Sequence, residues 1–301
     1  MNESKKPSPI QSWVGDGSKL SGKILGEIIT WKIPRVAISH ADLITGLMAS
    51  HLDCDVAREL APRNAFARAC SKLDSERIIR KIAEDNANIS FQFTREANEG
   101  GKFHYYFESL LFLDKHSGNI TSENLELEQL AKEEFGRCME ARTANDVTRL
   151  VQRLFERHAD LFSIRDQGGV YFVPEVHQDF VAKVESFVRN IGGSLQRFSI
   201  SAGSPQGDRA VQEAVAHGLQ GIIDEHMEAV AKFGEDTRPD TLHRAEEKIR
   251  ITKLKIEGYG LYLDKKRSDL EASLQQASEL LRSRMSFLIG APSEEVELAL
   301  V

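Results

Sequence analysis

One series of residues constrains this chain more than any other. Leu242, Ile249, Ile256, Leu263, Leu270 and Ala277 recur every seven positions, and Leu280, Leu281 and Leu288 extend the row. A helix that keeps an apolar residue at a 3.5-residue repeat carries a continuous seam that must be buried against another helix. Upstream, Val211, Val215, Leu219, Ile222, Met227, Val230 and Phe233 form a second apolar row, and Gly234–Asp240, with Pro239, separates the two. Residues 208–289 are therefore expected to be a helical hairpin of coiled-coil type, followed by an acidic and apolar tail, 290–301. The d positions Ala245, Thr252, Tyr259, Lys266 and Ser273 are poor. That lopsidedness suits an asymmetric partner, either the first helix of the arm or another chain. Gly258 and Gly260 each weaken a helix by ~1 kcal/mol and mark a bend.

The rest of the chain reads as a mixed α+β body. Residues 1–22, rich in Ser, Lys, Gly and Pro, read as a flexible lead-in. An N-terminal domain of helices and a β-hairpin is expected over 23–142. Leu20 to Ile33 is apolar enough for a strand or short helix, and Ser39 with Asp42 fits a capping box. A helix is expected from Asn64 to about Asn86. Then the period changes: Ile89, Phe91 and Phe93 alternate with polar residues, and Phe103, Tyr105, Phe107, Leu111 and Leu113 continue the alternation beyond an Ala97–Gly101 turn. Over 143–203 the order is α-β-β-α-β. Thr143 and Asp146 cap its first helix, and Val147, Leu150, Val151, Leu154 and Phe155 give that helix an apolar stripe. Both a winged helix and a split β-α-β arrangement borrowing a strand from the earlier hairpin satisfy this order.

Composition excludes some classes. The formal net charge is -7, so the chain is not coated in basic charge for nucleic acid, although local patches remain open. Its three cysteines, Cys54, Cys70 and Cys138, form no CxxC pair and read as reduced core residues. With no apolar signal region and no apolar run long enough to span a bilayer, the expected setting is cytoplasmic, without membrane contact.

Searches for chemistry mostly fail, and the failures are informative. Gly17-Ser-Lys-Leu-Ser-Gly22-Lys23-Ile24 approaches a phosphate loop, but Ile24 stands where a hydroxyl must reach Mg²⁺. His51, Asp53, Cys54 and Asp55 cluster without the spacing of a zinc site. No catalytic residue, metal site or cofactor is assigned. His104, Tyr106 and Glu108 alternate along the return strand and form the best polar-face candidate for acid/base work or a small ligand.

Two basic features stand out. Arg149, Arg153 and Arg157, with Arg142, recur at spacings of four and seven on one helix face. Residues 238–267 hold nine Lys/Arg against five Asp/Glu, including Lys248, Arg250, Lys253, Lys255, Lys265, Lys266 and Arg267. Both are candidates for contact with nucleic acid or an acidic partner.

The stretch Pro62-Arg63-Asn64-Ala65-Phe66-Ala67-Arg68-Ala69, the Phe91–Phe93 strand and Gly169-Val170-Tyr171-Phe172-Val173-Pro174 together resemble an uncharacterised family of bacterial and phage proteins of about this length. The resemblance implies a phage, mobile-element or phage-defence setting. That family has no assigned activity, so no site residue carries over. Two readings follow from the residues. The first is a non-enzymatic adaptor that docks a protein partner through the helical arm. The second is a DNA-binding protein using the arginine helix and the basic stretch of the arm. Self-association of the chain is left open.

Overall fold

The computed structural model describes residues 23–289 except 36, 74–76, 166 and 235. The lead-in, the near-phosphate loop up to Gly22 and the C-terminal tail lie outside the described residues. In chain order the elements are β1 (Ile24–Lys32), β2 (Ile38–Ser39), α1 (His40–Ala49), α2 (Pro62–Ser71), β3 (Arg77–Glu84), β4 (Asn88–Glu99), β5 (Lys102–Asp114) and β6 (Ile120–Ser122). They continue as α3 (Leu125–Glu140), β7 (Ala141–Arg142), α4 (Ala144–His158), β8 (Phe162–Ser163), β9 (Tyr171–Pro174), α5 (Gln178–Asn190) and β10 (Ser194–Ser201). Four helices close the described chain: α6 (Pro205–Ala231), α7 (Pro239–Gly258), α8 (Gly260–Leu263) and α9 (Lys266–Ile289). The protein is α+β. Two compact units are present: one holds the described residues up to Trp31, His158–Ala182 and those from Leu195 on, and the other holds Lys32–Arg157 and Lys183–Ser194. The stretch 143–203 is thus shared between them.

In the first unit the sheet order is β10-β1-β9-β8. β9 is interior: it pairs antiparallel with β1 on one side and with β8 on the other. It therefore does not project as a wing, and the strand that joins the α-β-β-α-β series is β1, not one from the earlier hairpin. The C-terminal helices share one core with this sheet. Leu25, Phe162 and Phe172 join Val211, Val215, Leu219 and Ile223 of α6, Ile249 and Ile256 of α7, and Leu270, Ala277 and Leu281 of α9. Gly218 in α6 makes room for Phe162, because a Cβ there would sit 2.6 Å from the ring.

The arm differs from a two-helix hairpin. The heptad row is divided among α7, α8 (Leu263) and α9, and α7 and α9 each pack on the other as well as on α6. The break falls at the two glycines, where Tyr259 caps α7 and Asp264, at φ 44°, ends the short α8. All six heptad positions are buried, so the seam closes within the chain. A straight helix drifts only ~20° per heptad from a 3.5 repeat. Over a helix the length of α7 a supercoiling pattern and an ordinary apolar stripe are therefore hard to tell apart.

In the second unit the sheet order is β3-β4-β5-β6. Its core is Phe66 and Cys70 of α2, Ile89, Phe93, Leu111, Leu113 and Ile120 of the strands, and Leu127 and Ala131 of α3. The helix expected to run to Asn86 stops at Ser71, and Ile78, Ile79 and Ile82 lie in β3. β-branched isoleucines fit a pleated strand better than a helix interior. A two-residue ladder, Ile38↔Arg142 and Ser39↔Ala141, ties the start of α1 to the start of α4. Both expected caps form: Ser39 Oγ accepts from the Asp42 N–H at 3.0 Å, and Asp146 accepts from the Thr143 N–H at 2.9 Å.

Candidate functional site

The ladder and the caps place a polar cleft of the second unit. Arg142 sits in β7 directly before α4, and His40 opens α1 directly after β2. Between them lies a cleft of about 470 Å³ walled by α4 (Asp146, Arg149, Gln152, Arg153, Glu156), by Arg58 and Glu59, and by Asn64 and Arg68 of α2. The α4 stripe Val147, Leu150, Val151, Leu154 and Phe155 is buried. Burial of that stripe is what turns the arginine face outward.

Five arginines face three carboxylates here. Among the described residues one pair is closed: Arg68 forks onto Asp146 through Nη1 at 2.6 Å and Nη2 at 2.7 Å. Burial opposes ionisation of Asp146, but the hydrogen bonds from Arg68 and from the Thr143 backbone and hydroxyl outweigh it and hold the carboxyl down at about 2. The other arginines are different. Arg142 is 6% exposed, and its Nη1 donates to the carbonyls of Met139 (2.9 Å) and Ala141 (3.2 Å). Burial pulls its pKa down and nearby Arg68 adds to that, with Asp146 and Glu59 opposing. A guanidinium remains charged regardless. Arg153 donates through Nε to the Arg149 carbonyl at 3.3 Å. Among the described residues no carboxylate lies within ion-pair distance of Arg58, Arg142, Arg149 or Arg153. His40 Nδ1 is buried there without a hydrogen-bond partner.

Of the four arginines read from the sequence, three line this cleft. Arg157 does not: its Nη1 donates to Asp53 Oδ2 at 2.8 Å. Asp53 in turn accepts from the Asp55 N–H at 2.8 Å to cap a short turn. Arg58, Arg68 and His40 are not marked by any local pattern in the sequence, because only tertiary packing brings 40, 58–68 and 142–156 together.

The polar strand face does not converge. Glu108 accepts from Arg77 Nε at 2.7 Å and Nη2 at 2.9 Å, and that pairing lowers its pKa. His104 and Tyr106 stack on each other at 6.4 Å, both exposed. The ladder pairs Phe93 with Ser109 but Thr94 with Phe107, so a bulge lies at Glu108. One extra residue shifts the alternation, and beyond it both faces of β5 are exposed. Phe103, Tyr105 and Phe107, expected to continue the face of Leu111 and Leu113, are 57%, 56% and 60% exposed.

The basic stretch of the arm is dispersed. Lys248, Arg250 and Lys253 are exposed on α7, with Arg250 paired to Glu247 at 2.7 Å. Lys265, Lys266 and Arg267 are exposed around the start of α9, with Arg267 paired to Glu271 at 2.7 Å. Lys255 turns inward. In the first unit it meets Asp160, which also accepts from the Tyr259 hydroxyl and lies 3.7 Å from His177 Nε2. Burial opposes the Asp160 charge, yet His177, Lys255 and Tyr259 hold its carboxyl well below the ordinary range. Burial and the same carboxylate push the Tyr259 hydroxyl far up.

The fold and cleft define an α+β protein of two units, one of which carries a cleft lined by five arginines and three carboxylates. The chain belongs to a family of unknown function, DUF6744, whose model matches residues 24–291. No curated protein and no solved structure matches it. Among the described residues no helix is long and apolar enough to cross a membrane.

Proposed function

We propose that this chain is a non-enzymatic binding protein that grips phosphate groups of nucleic acid in the arginine-lined cleft. The observation that carries this reading is that, among the described residues, no carboxylate lies within ion-pair distance of four of the five cleft arginines, one of them almost fully buried. An arginine fork suits phosphate oxygens, and positive charge held without a carboxylate is available for an anion. Arg149 and Arg153 stand one turn apart, ~6 Å along α4, so one strand can meet both. The test is binding of fluorescent oligonucleotides at graded salt. Affinity should fall steeply with salt, and the Arg58→Ala/Arg149→Ala/Arg153→Ala variant should bind weakly with a shallower slope. Unchanged affinity in that variant would remove the cleft from the reading.

A second reading is protein docking through the helical arm, in a phage, mobile-element or phage-defence assembly. A groove of about 610 Å³ between α7 and α9, lined by Leu254, Lys253, Gln275 and Arg282, supports it. Arg282 Nε is buried there without a partner. A host protein retained by the wild type and lost with Leu254→Glu would favour this surface. Equal retention would count against it.

A further inference from the structure

We infer that the cleft recognises a terminal phosphate, a monoester dianion at the end of a nucleic-acid strand, with Arg142 at its floor. This rests on the nucleic-acid reading above and narrows it. Charge balance is the first argument. Five arginines against three carboxylates leave two positive charges in the cleft. An internal phosphodiester carries one negative charge and leaves the site half compensated. A terminal monoester approaches two at neutral pH.

Depth is the second argument. Arg142 is 6% exposed and still lines the cleft, with only its Nη1 engaged, on two backbone carbonyls. A group that reaches such a floor must end there, whereas an internal phosphate continues into chain on both sides. A volume of about 470 Å³ is also that of a pocket for one small ligand, not a channel for a duplex. His40 Nδ1 is the third element. It is a polar atom of the same wall that is covered from solvent and has no partner, so the ring must turn before its N–H can donate to a phosphate oxygen. Arg149 and Arg153, more open, then hold the phosphates that follow the terminal one.

The experiment uses the full chain and one single-stranded oligonucleotide in three forms: 5′-phosphate, 3′-phosphate, and hydroxyl at both ends. One of the phosphorylated forms should bind about tenfold or more tightly than the hydroxyl form, as expected for charge-assisted hydrogen bonds to a dianion. Arg142→Gln should weaken binding of the phosphorylated strand more than that of the hydroxyl strand, so that the increment between them disappears. Arg142→Lys, which keeps the charge and loses the fork, should lose most of it. The wild-type comparison decides the matter even where a variant fails to fold. Equal binding of all three strands, with affinity still lost in Arg149→Ala/Arg153→Ala, overturns the terminal-phosphate inference and leaves the nucleic-acid reading standing. Failure of every strand to bind overturns both. A nucleoside monophosphate that competes at the concentration of the strand itself overturns the strand end as ligand. A phosphoserine peptide that binds as tightly overturns nucleic acid as its source.

Discussion

Two charged clusters in this molecule use similar residues to opposite ends. In the first unit, Asp160 is surrounded by Lys255, Tyr259 and His177, and each of its oxygens has a partner. In the second unit, Arg142, Arg149 and Arg153 line one cleft, and one of its three carboxylates, Asp146, is taken by Arg68. A buried charge is tolerated when it is paired and hydrogen-bonded. The Asp160 cluster meets that condition within the chain and holds α7 to the region before β8. In the cleft only Arg142 is buried, and two backbone carbonyls hold its Nη1; Arg149 stands exposed, and the proposal is that an outside anion meets these charges.

The sharpest break of that contrast is Asp160→Ala. It strands Lys255 and the Tyr259 hydroxyl in a half-buried place, and loss of one partner of such a pair costs about 3–5 kcal/mol. Denaturant unfolding should show it, while nucleic-acid binding by the folded fraction stays as in the wild type. Arg68→Ala should come next, at about 1–3 kcal/mol, because it opens the half-buried fork on Asp146. The same variant should also weaken binding.

Acid should act on both clusters with the same sign. The carboxyls of Asp160 and Asp146 lie below their unfolded values, so their contribution is fully present above pH ~4. It is lost as pH falls through the folded values, which for Asp146 is about 2. Stability measured from pH 6 downward should therefore hold to about pH 4 and decline below it. Arg149→Ala/Arg153→Ala should change stability by no more than ~0.5 kcal/mol per site, as for exposed positions. It should reduce the salt slope of binding by about one for each phosphate no longer gripped. Smallest of all, Arg157→Ala should leave binding unchanged, since Arg157 faces Asp53 and not the cleft.

These clusters also show which parts of the fold were legible in the sequence. α4 was readable in its cap and its buried stripe, which follow from local spacing, whereas of the four arginines read as one helix face Arg142 lies in β7 and Arg157 turns to Asp53. The hairpin β4-β5 was readable in its pairing, but from Phe107 to its tip β5 is exposed on both faces, which residue type does not show. The heptad row predicted burial correctly, yet it hid the division of the arm into three long helices. Its residues line one core whether or not the helix is continuous. Lys255 looked like one more exposed cation, and only the fold brings Asp160, ninety-five positions away, against it. In the cleft, Arg149 and Arg153 were visible as a helical row, whereas Arg58, Arg68 and His40 arrive from distant segments.

Whether the cleft holds positive charge awaiting a phosphate is best decided by stability linkage. The unfolding midpoint of the full chain would be followed as phosphate replaces chloride at constant ionic strength, in the wild type and in Arg149→Ala/Arg153→Ala. A ligand that binds only the folded state stabilises it by RT ln(1 + [L]/Kd). A saturating rise is expected in the wild type, larger than any general salt effect seen in the variant. Parallel curves for the two proteins would contradict a phosphate-binding cleft.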